Sequence, residues 1–331
     1  MKIFIWTVAI VSVLLTAVCG LFYRDDLPKE DLHRYLNEHS QFMSLSSGAK
    51  VHYRDEGSRQ KPTLVMIHGG LGSLQNWDEW VELLKDDYRL ISIDLLGHGL
   101  TGRYPADIYT RDAQRDMVVA LLNELNINRF IIAGNSFGGG IALEIALAHA
   151  EMVSGLVLIA SEGIPNSPDG YDASMFTDAE PVSPSDIAYT QISTIEKISS
   201  KFLSNFAVKA VLEELFYDDT LLTDDYVDYF ARILRHTGNR QAQLLMFKQG
   251  LSYVAQHPED LKPHLKDIVA PTLVIAGAED GLVPLSVNES FHRLIDDSEL
   301  VVIENAGHMP MIEKPQTSAN AVIHFFKENH Q

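Results

Sequence analysis

Residues 130–150 read FIIAGNSFGGGIALEIALAHA, and this stretch is the strongest indication of the fold in the sequence. Residues 130–133 form a continuous apolar run that is typical of a strand buried on both faces. Residues 139–150 place apolar side chains three and four positions apart, which predicts a helix. The turn between them, residues 134–138, reads G-x-S-x-G. A serine on so tight a strand-to-helix turn has crowded neighbours, and glycine two residues to either side leaves it room. The stretch therefore predicts a strand, an exposed nucleophile at Ser136 and a helix.

Similar apolar runs lie on both sides of this stretch. They cover residues 63–67, 90–93, 156–160, 272–276 and 300–303, and residues 112–125 show helical spacing. Alternating buried strands and helices imply a parallel sheet with right-handed crossovers. Residues 41–45 and 50–54 flank a Ser-Ser-Gly turn, which predicts an opening antiparallel hairpin. The sequence therefore predicts an α/β fold, a mostly parallel sheet with helices on both faces.

Residues 162–264 interrupt this alternation. The interval begins with four prolines, at positions 165, 168, 181 and 184, and continues with amphipathic stretches at 195–216 and 226–234. An insertion at this point of the chain would cover the carboxyl edge of the sheet, where ligand sites of α/β proteins form. We therefore predict a helical cap at 162–264 and a core made of residues 41–161 and 265–331.

A serine alone is a weak nucleophile, so an acid and then a histidine should follow it along the chain. Asp280 follows the predicted strand 272–276, and His308 follows the predicted strand 300–303. Because the carboxyl ends of parallel strands meet at one edge, His308 is expected to take the Ser136 proton while Asp280 orients the ring. Glu162 and Glu279 remain alternative acids.

Two backbone amides are expected to stabilise an oxyanion beside Ser136. The amide of Phe137 lies at a helix start, where the dipole favours negative charge. The second donor should come from residues 68–72, which read HGGLG. We assign it to Gly70, with Leu71 as the rival. His68 and His98, although close to these motifs, are predicted to support loops.

With these motifs the chain resembles a capped member of the α/β-hydrolase superfamily, from about residue 44 to the C-terminus outside the cap. The resemblance rests on residues 68–70, 94–99, 134–138, Asp280 with Pro284, and 307–308. It implies a cofactor-free hydrolase that forms an acyl-enzyme on Ser136. Relatives with an aspartate nucleophile, the haloalkane dehalogenases and epoxide hydrolases, are disfavoured because the nucleophile here is serine.

The favoured function is a serine hydrolase of esterase or lipase type that acts on hydrophobic carboxylic esters. The runner-up is a carbon–carbon bond hydrolase of the meta-cleavage product type, prompted by residues 134–139 and by three cap arginines, Arg232, Arg235 and Arg240, which suit a substrate carboxylate. Leu71 and Met309 depart from that type, which usually has a longer Gly/Pro-rich oxyanion loop and a tryptophan after the histidine. Lactonase and perhydrolase activities, and a ligand-binding protein with little turnover, remain open.

The composition of the chain excludes several other kinds of protein and binding partner. The 331 residues are 46% hydrophobic and carry a formal net charge of −19, so nucleic acid is not an expected partner. The single cysteine, Cys19, excludes an intramolecular disulfide and a CxxC site. Neither a metal motif nor a nucleotide motif is present in the sequence, so no cofactor and no metal are expected.

Residues 3–23 are apolar with only mild polar interruptions. At 1.5 Å per residue a helix of this length spans about 31 Å, the thickness of a bilayer core. The segment predicts a membrane anchor, or a secretory signal if it is cleaved. Residues 24–40 would then be a lead-in. We expect the catalytic domain outside the cytoplasm, attached to the membrane or secreted.

Overall fold

The strands of the computed structural model lie where the apolar runs predict them. The structure describes residues 22–163, 191–256 and 262–328. The strands are β1 Ser40–Ser44, β2 Lys50–Gly57, β3 Thr63–Ile67, β4 Arg89–Ile93, β5 Phe130–Asn135, β6 Val153–Ile159, β7 Thr272–Gly277 and β8 Ser298–Ile303. They form one eight-stranded sheet in the order β1-β2-β4-β3-β5-β6-β7-β8. The β1–β2 and β2–β4 pairs are antiparallel and the others parallel. The predicted α/β-hydrolase fold, a mostly parallel sheet opened by a hairpin, is confirmed.

Helices connect the strands and follow the last one. They are α1 Asp78–Leu84, α2 Arg111–Glu124, α3 Phe137–Ala148, α4 Thr194–Ser199, α5 Asn205–Glu213, α6 Asp224–Leu234, α7 Asn239–Gln256, α8 Leu285–Leu294, α9 Pro310–Glu313 and α10 Pro315–Glu328. Short 3-10 helices cover Lys29–Tyr35, Leu74–Trp77, Ser200–Phe202, Asp219–Leu221 and Lys262–Asp267. The α2 and α3 helices match the predicted spans to within a few residues.

The sheet is buried on both faces because successive side chains of a strand point to opposite sides. In β3, Val65 and Ile67 join a core with residues of α2, α3 and α8. Leu64 and Met66 join a second core with residues of α1 and α10. All four side chains are fully buried. With both faces covered, the carboxyl edge of the sheet is the place where its loops converge.

The described part of the insertion between β6 and β7 is mostly helical and contains α4 to α7 and three 3-10 helices. The amphipathic stretches predicted α4 to α6, whereas α7 was not predicted. The lead-in packs on this insertion: the Leu27 amide donates to the Arg235 carbonyl over 2.6 Å, and Leu32 is fully buried in a cluster with Ile233. The lead-in is thus attached to the cap.

Several sequence predictions concern residues outside the three described ranges. The predicted membrane segment 3–23 lies outside the described residues except for its last two positions, as do the four prolines of the insertion. Among the helices that are described, none is long and apolar enough to cross a bilayer. The boundaries at 162 and 264 stay predictions.

Candidate active site

Ser136 lies in the turn between β5 and α3, where the backbone is constrained. Its φ of 52° and ψ of −120° are unusual for a residue other than glycine. A Cβ at Gly134 would lie 2.2 Å from the Gly138 carbonyl oxygen, and one at Gly138 would lie 2.4 Å from the His68 carbonyl oxygen. Only glycine fits at both positions, so the turn can fold with Ser136 half-buried at the carboxyl edge.

His308 and Asp280 form a hydrogen-bonded pair at the same edge. The His308 Nδ1 lies 2.9 Å from Asp280 Oδ2, with the side chains 4% and 1% exposed. The other carboxylate oxygen, Oδ1, accepts from the amides of Leu282 and Val283 over 2.8 and 3.0 Å. The carboxylate is therefore held in one orientation and accepts a hydrogen bond from Nδ1–H, which leaves Nε2 of His308 as the basic nitrogen.

Asn135 links the histidine loop to the nucleophile turn. Its buried side-chain amide donates to the main-chain oxygens of His308 and Ile159 over 3.1 and 3.2 Å. The His308 amide in turn donates to the Leu215 carbonyl in the cap over 2.9 Å. The main chain of His308 is thus fixed from both sides by neighbours of Ser136 and by the cap.

The two alternative acids have other partners. Glu162 Oε1 accepts from the Arg111 guanidinium over 2.8 Å. Glu279 Oε2 accepts from the Ala306 amide over 3.1 Å. Among the described residues, Asp280 is the acidic side chain that forms a hydrogen bond with the His308 ring.

The candidate oxyanion donors belong to two chain segments that lie against each other. Within the described part of the chain, the amides of Phe137, Gly70 and Leu71 have no hydrogen-bond partner. A Cβ at Gly69 would lie 3.2 Å from the Ser136 Cβ, so this loop runs directly against the nucleophile turn. A Cβ at Gly70 would meet nothing within 4 Å, and Leu71 has a φ of 62°. The loop thus offers two free amides beside open space.

His68 and His98 support loops by hydrogen bonds of their rings. His68 Nδ1 donates to the Gly69 carbonyl over 2.7 Å, and its Nε2 accepts from the Leu95 amide over 3.1 Å. His98 Nδ1 donates to the Leu96 carbonyl over 3.0 Å. Burial lowers the pKa of His68 and lowers that of His98 to about 3, so both rings are neutral.

Asp94 explains the 94–99 motif. It is fully buried and accepts from the His52 ring, the Leu74 amide and the Leu100 amide over 2.7 to 2.8 Å. Burial raises its pKa, but the hydrogen bonds from His52 and the Leu74 amide, together with the electrostatic effect of the neighbouring histidine rings, outweigh burial and hold the pKa at about 2. A Cβ at Gly99 would lie 2.0 Å from this carboxyl group. The motif is therefore a turn built around a buried carboxylate.

Glu313, which the sequence analysis missed, joins the histidine loop to the cap. One of its oxygens accepts from the Gly307 amide over 2.8 Å. The other accepts from the amides of Tyr217 and Asp218 over 2.7 and 3.1 Å. A glutamate that ends the otherwise apolar run 309–313 was the available signal, because such a residue needs buried partners.

Tyr229 makes a second connection from the cap. Its hydroxyl group forms hydrogen bonds with the Ser73 hydroxyl group and, over 2.8 Å, with Gln75 Oε1. Ser73 directly follows the glycine-rich loop 68–72. Helix α6 of the cap is therefore attached to the loop that carries the candidate oxyanion donors.

Replacing Glu313 by alanine should lower the free energy of unfolding by about 3 kcal/mol, because one buried and two partly buried backbone donors lose their acceptor. Urea denaturation of the full chain measures this. Glu289→Ala, an exposed site on α8, is the matched control and should change stability by less than about 0.5 kcal/mol. Equal midpoints for the two variants would show that Glu313 does not fasten the cap.

The three cap arginines bind the lead-in. Arg232 and Arg235 donate to the carbonyls of Asp31 and Asp25 over 3.3 and 2.9 Å. Arg240 forms an ion pair with Asp26 and donates to the Arg24 carbonyl over 2.8 Å. The structure thus gives all three arginines partners in the lead-in, and the contact with a substrate carboxylate considered from the sequence stays a prediction. In the described part of the chain, no group of three His, Cys, Asp or Glu residues could hold a metal ion.

A family model described as alpha/beta hydrolase fold matches residues 62–315. The chain is 29% identical to a 2-hydroxy-6-oxo-6-(2'-aminophenyl)hexa-2,4-dienoic acid hydrolase of Metapseudomonas resinovorans, over 85% of this chain and 88% of that protein. It is 25% identical to Lipase 1 of Psychrobacter immobilis, over 84% and 81%. A solved meta-cleavage product hydrolase from Pseudomonas fluorescens IP01 is 26% identical, with a TM-score of 0.71 over 87% of this chain and 97% of that one.

Proposed function

Because this chain belongs to the alpha/beta hydrolase fold family, we propose that it is a serine hydrolase that cleaves carboxylic esters through an acyl-enzyme on Ser136. The observation that carries the proposal is the buried Asp280–His308 hydrogen bond at the edge where Ser136 lies. This bond fixes the tautomer that a general base requires. The proposed catalytic residues are Ser136, His308 and Asp280.

In the proposed reaction, Ser136 Oγ attacks the ester carbonyl carbon while His308 Nε2 takes the hydroxyl proton. The amide of Phe137 and that of Gly70, or its rival Leu71, donate to the oxyanion that forms. When the intermediate collapses, the alcohol leaves with the proton from His308. A water molecule deprotonated by His308 then attacks the acyl group, and the carboxylic acid is released as Ser136 regains its proton.

The position of the arginines supports ester cleavage over carbon–carbon cleavage. Arg232, Arg235 and Arg240 donate to main-chain carbonyls of the lead-in, which favours a structural role for them over contact with a substrate carboxylate. Leu71 and Met309 also depart from the meta-cleavage pattern. Similarity to a lipase agrees with an ester substrate.

Carbon–carbon cleavage is the second candidate, because the chain is 29% identical to a dienoic acid hydrolase along most of its length. In that reaction the same serine hydrolase machinery would cleave a carbon–carbon bond next to a ketone. The substrate would be a 2-hydroxy-6-oxo-dienoic acid, whose carboxylate needs a cationic partner.

Comparing two substrate classes on the full chain tests the proposal. We expect turnover of p-nitrophenyl esters, with an optimum in acyl chain length that distinguishes an esterase from a lipase. The kcat/KM for esters should exceed that for a 2-hydroxy-6-oxo-hexa-2,4-dienoate by at least about 100-fold, or about 2.7 kcal/mol in transition-state stabilisation. A preference for the dienoate would replace the ester proposal by the second candidate, and no turnover of either would favour a binding protein.

We further propose that residues 3–23 anchor this hydrolase to a membrane, with the catalytic domain outside the cytoplasm. The support is the length and apolar composition of that segment. Fractionation of cells that express the full chain tests it. Recovery with the soluble cytoplasmic proteins would contradict the anchor, and a shortened chain in the medium would indicate a cleaved signal.

A further inference from the structure

We propose that one face of the cap is a docking surface for a lipid bilayer. The surface, here the cap surface, consists of Phe22, Tyr23, Ile195, Ile198, Phe206 and Phe247. The inference rests on the proposed anchor and goes beyond it, because it assigns membrane contact to the folded domain itself.

The first observation is exposure. Phe206 is 82% exposed, Ile195 79%, Phe247 57% and Ile198 54%. Among the described residues, nine of the twelve exposed large apolar side chains lie in the insertion or at positions 22 and 23. Exposed apolar side chains concentrated in one region mark an interaction site, whereas scattered ones do not. The cap, rather than the core, carries this feature.

The second observation is that the elements of the cap surface lie side by side. Lys248, next to Phe247, forms a 2.6 Å ion pair with Glu196, which is next to Ile195. The Tyr23 ring lies 5.8 Å from the Phe202 ring. The main chains of Arg24 and Lys201 are hydrogen-bonded over 2.6 Å. Contacts thus connect α4, α7 and the start of the described chain, and Phe206 lies at the start of α5, four positions after Phe202.

The third observation concerns α4. This helix has six residues and buries none of them, and both of its isoleucines are exposed. A helix of this length is marginal in water and normally depends on burying an apolar face. A lipid surface would cover Ile195 and Ile198 and supply that burial.

Charge permits this face to approach a bilayer. The chain as a whole carries a net charge of −19. Residues 191–216, in contrast, contain three acidic and three basic side chains. Lys248 and Arg240 form ion pairs with Glu196 and Asp26. The cap surface is therefore close to neutral and meets lipid headgroups with less repulsion than the rest of the chain.

The position of the apolar segment selects a bilayer as the occupant. Residues 3–23 are long enough to span a bilayer, and this segment ends at Phe22 and Tyr23, within the cap surface. If this segment lies in a membrane, the neighbouring Ile195, Ile198 and Phe247 are held at its surface. Helices that lie at a membrane interface commonly carry large apolar side chains on one face and lysines on the other.

Quenching by spin-labelled lipid tests this on the full chain in a Cys19→Ser background. A fluorescent label is attached at Phe206→Cys or at Phe247→Cys, with Val302→Cys on β8 as the control. In phosphatidylcholine vesicles, with or without phosphatidylglycerol, we expect quenching at positions 206 and 247 and none at 302. Absence of quenching at 206 and 247 would overturn the proposal. It would indicate that residues 1–21 or a second copy of the chain cover these positions in place of lipid.

A kinetic arm separates this proposal from the proposed function. The double variant Phe206→Glu, Phe247→Glu should hydrolyse soluble p-nitrophenyl acetate within about twofold of the unmodified chain. Its turnover of an ester embedded in phosphatidylcholine vesicles should fall about tenfold, because two charged side chains oppose interfacial binding. Equal loss on both substrates, or none, would contradict the docking surface. Lack of activity on every ester would contradict the proposed function and leave the quenching result independent.

Discussion

The Ser136→Ala variant is expected to lose ester turnover almost completely, with kcat lower by about 10⁵-fold. In the proposed mechanism no other side chain supplies the nucleophile, and the residual rate comes from the oxyanion donors and substrate binding alone. Alanine keeps the Cβ, so the strain at a φ of 52° stays the same. The free energy of unfolding should therefore change by less than about 1 kcal/mol.

Two measurements on the full chain check this result. The rate of p-nitrophenyl butyrate hydrolysis gives the loss of kcat, and labelling by a fluorophosphonate, followed by mass spectrometry, reports the nucleophile. Ser58→Ala, at an exposed loop position, is the matched control and should keep both activity and labelling. Turnover by Ser136→Ala near the unmodified rate would refute the acyl-enzyme on Ser136.

The sequence was sufficient for the fold because the deciding signals are local. Each buried strand is a continuous apolar run, and Gly134 and Gly138 are fixed by contacts within one turn. Asp280 and His308 were predicted to meet because parallel topology brings strand ends together, and the structure brings them to 2.9 Å.

The contacts of the cap could not be predicted in the same way. Glu313 meets Tyr217 from almost a hundred positions away along the chain, and Arg240 meets the lead-in from more than two hundred. Such contacts depend on how the insertion packs, and no spacing in the sequence encodes them. The arginines show the consequence, because their charge suggested a substrate contact and the packing gave them structural partners.

The acid assignment leads to the second large effect, at Asp280. In Asp280→Asn the side-chain oxygen can still accept from the amides of Leu282 and Val283. Its NH₂ group then faces His308 Nδ1 and cannot accept a hydrogen bond from Nδ1–H. The ring is forced to accept at Nδ1 and to carry its proton on Nε2, where it can no longer take the proton of Ser136. We expect kcat to fall by about 10⁴-fold with KM almost unchanged, because substrate contacts are intact.

The two alternative acids provide matched controls for this prediction. Glu162→Gln removes the partner of Arg111, and Glu279→Gln alters a hydrogen bond to the Ala306 amide. Neither carboxylate touches the His308 ring, so both variants should keep kcat within about tenfold, a cost of about 1.4 kcal/mol. Steady-state kinetics of the three variants on one ester separates the roles. A larger loss in Glu162→Gln than in Asp280→Asn would transfer the role of the acid to Glu162, because only the residue that sets the tautomer of His308 controls the proton transfer from Ser136.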